Sequence, residues 1–293
     1  MKVLNALACY IKAGAIVKRA LARAHLLAYV GMPVIELAEF IEKDIKRQGA
    51  LPAFPVCLML NNEVAYHTPN RVTTDVLHTG DLLKVDVGAH VFGYIADTAV
   101  TWEISETPHA PLIWAAERAL TNALALIHEG VTARSVAHHL ERCVVSEGLR
   151  NVSDSHGHTI EQFILHGPTP VASYAHKVFR TGDVVAIEVT LAKSAKVEQA
   201  GKTEIYSLRL LFDRASLSLE ARNAYSNLHA LYGVLPFSLR WIEKTECVRR
   251  AEINELANHG CLVRYPPLIE AQGQAVAHAE RTVFVTRGGC ITL

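Results

Sequence analysis

Hydrophobic residues recur along this chain with two different spacings, which predict helices in some segments and strands in others. Apolar positions three and four residues apart predict amphipathic helices in four segments: residues 8–30, 34–48, 108–130 and 131–148. Apolar residues that alternate with polar ones, or run together, predict strands in four others: residues 52–70, 82–103, 183–192 and 277–293. Because helices followed by strands occur twice, the pattern indicates an α+β fold with two pseudo-equivalent halves.

Residues 195–263 have a different pattern from the rest of the chain. A strand-like stretch, KTEIYSLRLLF, is followed by two segments with helical spacing, ASLSLEARNAYSNLHALYG and SLRWIEKTECVRRAEINELANHG. We interpret this region as a helical insertion subdomain within a single domain that spans residues 1–293. Half of the residues are hydrophobic, which is ample for one large core.

The amino-acid composition limits the partners and the cellular compartment that we expect for this protein. Lys plus Arg and Asp plus Glu both number 29, so the net charge gives no reason to expect a nucleic-acid or membrane partner. The six cysteines are scattered without a CxxC pair, which favours a reduced, cytoplasmic protein. Lys12, Lys18 and Arg23 interrupt the apolar N-terminal segment, which therefore fits an amphipathic helix better than a signal peptide or a membrane span.

Two acidic side chains stand out in the strand-like stretch KVDVGAHVFGYIADTAVT, because acids are rare in strands and are seldom buried alone. A hairpin that turns between Val91 and Phe92 would place Asp86 directly opposite Asp97, with Cβ atoms about 5 Å apart. Two carboxylates this close need a shared proton, a basic partner or bridging metal ions, unless both simply face water at a sheet edge. Of these alternatives we favour a metal pair.

A pair of ions held by oxygen atoms needs further carboxylates and a histidine or two. The chain offers His158 in SHGHTIE, with His156 beside it, Glu188 inside the apolar strand DVVAIEVTLA, and Glu280 in AHAERTVFV. Taken singly, each has a common structural explanation, because strand acids usually face solvent and histidines usually lie at the surface or in satisfied core positions. Their combination with the two aspartates is far more specific and indicates a metal site.

The chain resembles the type II methionine aminopeptidases in their archaeal form. The similarity runs from LAEFIEKDIKRQGALPAFP through LKVDVGAHVFGYIADTAVT, GHTIEQFILHG, GDVVAIE, LPFSLRW and YPPL to AHAERTVFVT, and so covers nearly the whole chain. It implies the pita-bread fold, in which a pseudo-twofold, curved antiparallel sheet is covered by helices. Residues 195–263 fall where that family carries its helical insertion.

The resemblance also implies a ligand set for two divalent ions, which would be cobalt, manganese, iron or zinc. The family's two aspartates, one histidine and two glutamates fall on residues of the same type: Asp86, Asp97, His158, Glu188 and Glu280. Asp97 and Glu280 would bridge the two ions. Asp86 would complete the shell of one ion, and His158 with Glu188 that of the other.

The implied reaction is hydrolytic removal of the N-terminal methionine from peptides and nascent proteins. Glu188 would carry a proton from the attacking water to the leaving amine, and His166 would donate to the scissile amide. A small apolar pocket near Phe54 and Tyr265 would admit the methionine side chain. The implied protein is a cytoplasmic monomer, and proximity to the ribosome is compatible with such substrates.

One departure from the family lies next to the implied site. Family members have AHYTP where this chain has AYHTP, so Tyr66 occupies the place of a catalytic histidine and His67 follows it. In an extended segment adjacent side chains face opposite ways, so His67 would reach the metals only after a local change of register. Tyr66 would hydrogen-bond the substrate, and we expect slow or altered catalysis. Val189 and Arg281 also replace the family's proline and histidine after its two glutamates.

Two other functions remain open at this stage. A pita-bread peptidase that cleaves next to proline usually carries an additional N-terminal domain and lacks the insertion. A non-catalytic, ribosome-associated binding protein would commonly have lost metal ligands. Retention of all five ligand types argues against that function, whereas the tyrosine at position 66 argues for it.

Overall fold

A curved antiparallel sheet forms the centre of the computed structural model, which describes residues 5–105, 108–153, 155–210, 216–243 and 248–293. The strands of the described residues are β1 Leu51–Pro52, β2 Cys57–Leu60, β3 Glu63–Ala65, β4 Leu82–Val91, β5 Tyr94–Glu103, β6 Arg150–Asn151, β7 Gly157–Ile160, β8 Val184–Ala192, β9 Val197–Gln199, β10 Ile205–Leu208, β11 Phe237–Ser238, β12 Leu262–Tyr265, β13 Leu268–Glu270, β14 Ala277–Thr286 and β15 Gly289–Thr292. The large sheet has the order β1-β4-β5-β14-β8-β6, with β2 also paired to β4, β7 to β8 and β15 to β14.

Two pairs of helices cover this sheet, one pair over each half. The helices are α1 Ala6–Leu27, α2 Val34–Arg47, α3 Ala110–Leu124, α4 Ala133–Ser146, α5 Leu219–Tyr232, α6 Leu239–Ile242 and α7 Arg250–Asn258. The first two share a hydrophobic core with β4 and β5, and the next two share another with β8 and β14. The predicted α+β architecture with two similar halves is therefore confirmed.

The predicted helices were slightly too long, chiefly at their C-terminal ends. The segment predicted as 8–30 ends at Leu27, and the one predicted as 108–130 ends at Leu124. Gly49, with a φ of 81°, follows α2 in the left-handed conformation that glycine favours after a helix. No helix within the described ranges is long and apolar enough to cross a membrane. The five cysteines in those ranges form no disulfide with one another, and Cys247 lies outside them.

Residues 205–262 carry a hydrophobic core of their own. Helices α5 and α7 pack there against a small sheet of order β11-β10-β12, in which Ile205 pairs with Tyr265. The expectation of a mostly helical region was therefore incomplete, because this sheet joins strands that are far apart in sequence. A second small sheet, of order β3-β13-β9, borders it. The assignment of residues 195–263 as an insertion subdomain remains a prediction.

The hairpin of β4 and β5 turns one residue later than predicted. Phe92 and Gly93 form the two-residue loop, with φ values of 53° and 86°, as in a type I′ turn. A side chain at Gly93 would lie 2.4 Å from the ring of Phe163, so glycine is also required by packing. The predicted hairpin is present, but its turn centres between Phe92 and Gly93 and not between Val91 and Phe92, because a two-residue loop with two positive φ values matches the twist of paired strands.

Candidate metal centre

The large sheet brings all five implied metal ligands to one cavity. Asp86 lies on β4, Asp97 on β5, His158 on β7, Glu188 on β8 and Glu280 on β14, and all five side chains line the cavity. Since β14 lies between β5 and β8, its pairing sets Glu280 directly opposite Glu188 on one side and Ala99 on the other. The site is therefore assembled from strands of both halves of the sheet.

The two aspartates share a face of the hairpin but are not directly opposed. Asp86 pairs with Ala99, and Asp97 pairs with Gly88, so the two acids are diagonal neighbours. The prediction of a directly opposed pair is wrong by two positions because the turn lies one residue further along. A shift of two positions keeps both side chains on the same face, at the diagonal spacing of about 7–8 Å between paired strands.

His158 approaches two of the acids. Its Nε2 atom lies 3.8 Å from Oδ2 of Asp97 and 4.0 Å from Oε1 of Glu280. All three side chains are almost fully buried. Their ligand atoms lie within 4.8 Å of one another, which makes them a candidate group for one cation.

A second candidate group contains a histidine that the sequence analysis missed. Glu188, Glu280 and His278 also bring one ligand atom each within 4.8 Å of the others. His278 precedes Glu280 by two residues on β14, so the period of a strand places both on one face. That alternation was the available signal, because HAE in an apolar strand sets a second donor beside the glutamate.

Several buried atoms of the cluster have no hydrogen-bond partner. They are Oδ1 of Asp86, Oδ1 of Asp97, Oε1 of Glu280 and both ring nitrogens of His278. Buried polar groups in folded proteins are nearly always satisfied, so unpaired carboxylate oxygens that converge on one cavity need an external partner. Carboxylate oxygens with imidazole nitrogens are a donor set for divalent first-row ions, so these residues fit the metal pair that the family resemblance implies.

Burial and mutual repulsion shift the pKa values of three acids upwards. Burial, and then the charge of Asp86, raise the pKa of Asp97 well above its ordinary value. Burial, and then Asp97, do the same for the pKa of Glu280. The pKa of Asp86 rises to about 7, chiefly through burial and against the opposing effect of His278. Carboxylates with raised pKa values tend to take up a proton or to bind a cation.

Glu188 differs from the other acids. Burial raises the pKa of its carboxyl group, but the neighbouring His278, His158 and His166 outweigh that effect and hold the pKa below the ordinary value. The pKa of His166 falls to about 4, through burial and then through His158, whose ring centroid is 4.6 Å away. At neutral pH the cavity therefore holds an ionised Glu188 and a neutral imidazole at His166.

An apolar wall closes one side of the cavity. Phe54, Tyr66 and Tyr265 line it together with Cys57 and Ile205. The rings of Tyr66 and Tyr265 are 5.4 Å apart and pack against each other, so this wall is largely aromatic. The cavity volume is about 160 Å³.

Gly88 makes room for Phe54. It lies opposite Asp97 in the hairpin, and a Cβ atom at this position would lie 2.3 Å from the Phe54 ring. The ring thus lies against bare backbone beside the acids. A larger residue at position 88 would therefore displace the Phe54 ring from the apolar wall.

Tyr66 and His67 point to different places. Tyr66 lines the cavity, whereas Nδ1 of His67 lies 3.0 Å from Oε1 of Glu63. The segment is not extended as expected, because Tyr66 has a φ of 62°, a strained conformation for a bulky residue. The structure thus brings Tyr66 to the implied ligands and leaves His67 outside the cavity.

The other two departures from the family lie on the opposite face of the sheet. Val189 is buried in the core beneath α3 and α4. Arg281 donates to the carbonyl oxygens of Ala99 and Glu280 and approaches Glu117 of α3 at 3.3 Å. Both residues alternate with ligands on their strands, so neither side chain enters the cavity.

Comparison with known proteins identifies the family. Residues 8–220 match Metallopeptidase family M24. The methionine aminopeptidase of Archaeoglobus fulgidus is 34% identical over 283 residues, which cover 95% of each chain. The chain therefore belongs to metallopeptidase family M24, and its resemblance to archaeal methionine aminopeptidases is confirmed.

Solved structures show the same fold at low sequence identity. A thermophilic Arx1 superposes with a TM-score of 0.84 at 17% identity, over 100% of this chain and 91% of that one. A methionine aminopeptidase from Thermotoga maritima superposes with a TM-score of 0.68 at 21% identity, over 96% and 93%. The predicted pita-bread fold is thereby confirmed.

Proposed function

We propose that this protein is a methionine aminopeptidase, a metal-dependent hydrolase that releases the N-terminal methionine from peptides and nascent proteins. The observation that carries this proposal is the set of converging, unpaired carboxylate oxygens beside an aromatic pocket. The 34% identity to an archaeal methionine aminopeptidase supports the choice of substrate. We further propose that the protein acts as a cytoplasmic monomer.

The proposed centre holds two divalent ions, with Asp86, Asp97, His158, Glu188 and Glu280 as ligands. Cobalt, manganese, iron and zinc all accept such a donor set. When bound, the ions supply an activated water and an electrophile for the substrate carbonyl. Because Glu280 belongs to both candidate groups, it would be held in common by the two ions.

The protein's own groups provide proton transfer and orientation. Glu188 is ionised and lines the cavity, so it can accept a proton and pass it to the leaving amine. The neutral imidazole of His166 keeps one N–H group, which can donate to the scissile amide as charge develops there. Burial raises the pKa of the Tyr66 hydroxyl, so this group stays protonated and can donate to the bound peptide.

The pocket selects the first residue of the substrate. Phe54 and Tyr265 both line the cavity, where an unbranched, polarisable side chain can lie against aromatic rings. Tyr66 lines the same cavity as the acids and replaces an imidazole of the family. We therefore propose slower turnover than in relatives with histidine at this position.

Metal content measured together with hydrolysis of a Met-Ala-Ser peptide tests the proposal. We expect two ions per chain and release of methionine, with no cleavage of an Ala-Pro-Ala peptide. Two ions with cleavage only at the proline peptide would indicate the X-Pro activity instead. A protein that binds ions but cleaves neither peptide would contradict the enzymatic proposal and favour a binding protein.

A further inference from the structure

His278 has the position of a metal ligand, although the implied ligand set does not include it. It lies on β14 opposite Thr190, and it shares its face with Glu280 and, diagonally, with Glu188. Its Nε2 atom is 3.4 Å from Oε2 of Glu188 and 3.9 Å from Oε2 of Glu280. Two atoms that each lie about 2.1 Å from one ion are about 3–4 Å apart, so these spacings suit a common cation.

The surroundings of His278 leave both of its ring nitrogens without a hydrogen bond among the described residues. Its side chain is 7% exposed. A buried histidine that only packs in a core normally satisfies at least one nitrogen. The imidazole of His278 therefore faces the carboxylates of Glu188 and Glu280 and the space between them.

The arrangement around His278 repeats the one around His158. Each imidazole faces two carboxylates, and Glu280 is common to both groups. His158 lies 3.8 and 4.0 Å from its two acids, close to the values for His278. Each of the two candidate groups thus contains one histidine.

We propose that His278 is a metal ligand beside Glu188 and Glu280, so that the centre carries two imidazoles instead of one. Imidazole favours zinc, cobalt and iron over manganese, whereas carboxylates and water favour manganese. The second imidazole therefore biases the centre towards zinc-like ions. This inference rests on the proposed metallopeptidase function, because it concerns the same pair of ions.

The variant His278→Gln tests the assignment through metal binding. Glutamine fills similar space and keeps a polar end, but its amide is a poor ligand for zinc. We expect the zinc dissociation constant, measured by calorimetry on protein stripped with a chelator, to rise at least about tenfold. The manganese constant should change less than about threefold, and the visible spectrum of the cobalt-loaded protein should change.

A matched control uses another buried histidine of the same sheet. His90 on β4 accepts a hydrogen bond from the backbone N–H of Gly93 and belongs to neither candidate metal group. We expect His90→Gln to keep the zinc and manganese constants of the wild type. Equal zinc constants for His278→Gln and the wild type would overturn the assignment.

X-ray absorption of the zinc-loaded wild type provides a measurement that needs no folded variant. We expect imidazole scattering equivalent to two histidines per pair of ions, and one histidine per pair would overturn the assignment. The peptide assay separates the two proposals. Two imidazoles without methionine release would sustain this inference and contradict the proposed function, while methionine release with one imidazole would do the reverse.

Discussion

Two buried charged clusters of this protein satisfy their charges in opposite ways. Arg240 is fully buried and donates through Nη1 and Nη2 to the two carboxylate oxygens of Glu42, both at 2.7 Å. Trp241 donates to the same carboxylate at 2.9 Å, and Arg240 also donates to the carbonyl oxygen of Pro69. This first cluster, Glu42 with Arg240 and Trp241, is complete within the chain.

The second cluster, the acids of the cavity, is incomplete within the chain. Among the described residues, no lysine or arginine forms an ion pair with Asp86, Asp97, Glu188 or Glu280, although histidines approach three of them. The cluster keeps carboxylate oxygens without partners, as the first cluster does not. The first cluster thus uses buried charge structurally, whereas the second has carboxylate oxygens available to a cation, and the predictions below test this difference.

The largest effect is expected from Asp97→Asn. Asp97 would be a ligand of both ions, so its loss should abolish stoichiometric metal binding. Methionine release should fall by about a thousandfold or more, because the ions supply several kcal/mol of transition-state stabilisation. In excess chelator the same variant should gain about 1–4 kcal/mol in free energy of unfolding, because it removes a buried, unpaired acid. Metal analysis, the peptide assay and urea unfolding measure the three quantities.

Asp81→Asn is the matched control for that variant. Asp81 is buried as well, but it accepts hydrogen bonds from Asn61 and from the backbone of His78. We expect Asp81→Asn to lose stability and to retain both ions. A stability gain for Asp81→Asn, or a loss for Asp97→Asn, would remove the contrast between satisfied and unsatisfied acids.

Arg240→Met should destabilise the fold by about 3–5 kcal/mol, because it leaves the buried Glu42 without its cation. The metal content should stay at the wild-type value. Arg250→Met is the control, since Arg250 pairs with Glu243 at 2.6 Å but is 57% exposed, and exposed pairs contribute about 1 kcal/mol or less. Urea unfolding in chelator compares the two, and equal losses would show that burial of the pair is unimportant.

As the pH rises, the free energy of unfolding of the metal-free wild type should fall relative to that of the metal-free Asp86→Asn variant. The pKa of Asp86 is about 7 in the folded protein, against an ordinary value of 3.8. The folded state therefore binds more protons than the unfolded state, so the relative stability is full below about pH 4 and is lost as the pH rises through about 7. We expect a relative loss of about 2–4 kcal/mol by pH 7.5.

Urea unfolding of both proteins at pH 4.5, 6 and 7.5 measures this difference. Excess zinc should abolish the decline in the wild type, because the cation then replaces the proton beside Asp86. A difference that does not vary with pH in chelator would contradict the raised pKa of this carboxyl group.

The smallest effect is expected from exchanging Tyr66 and His67. The double variant places an imidazole at the cavity and should raise methionine release about tenfold, which is less than the hundredfold or more that an optimally placed acid–base group contributes. Histidine also tolerates the positive φ of position 66 better than tyrosine does. Glu63→Gln, which removes the partner of His67 without changing the cavity, should alter release by less than about twofold. No rise in the double variant would show that Tyr66 does not limit turnover.

Much of this architecture was predictable because its signals are local. The amphipathic spacing of α2 and the glycine after it fix a helix without reference to the rest of the chain. Asp86, Glu188 and Glu280 are conspicuous because each interrupts an otherwise apolar strand. Residue types and strand alternation were enough to identify these acids.

The errors concern features that depend on distant residues or on uncommon backbone angles. Phenylalanine is not a typical turn residue, so the positive φ of Phe92 could not be anticipated, and the register of the two aspartates moved with it. The small sheet of β10, β11 and β12 depends on pairing across two helices. His278 was missed because a single histidine is common, and only the pairing of β14 with β8 brings it to Glu188.

The position of β14 also has a consequence for the order in which the protein folds. Strands β4 and β5 are neighbours in sequence and can pair early, whereas β14 must insert between β5 and β8 after nearly all of the chain has been made. Glu280 and His278 therefore join the other ligands last. We expect metal uptake during refolding to coincide with the pairing of β14 with β5 and β8. A bound ion would then indicate that the central sheet is fully formed.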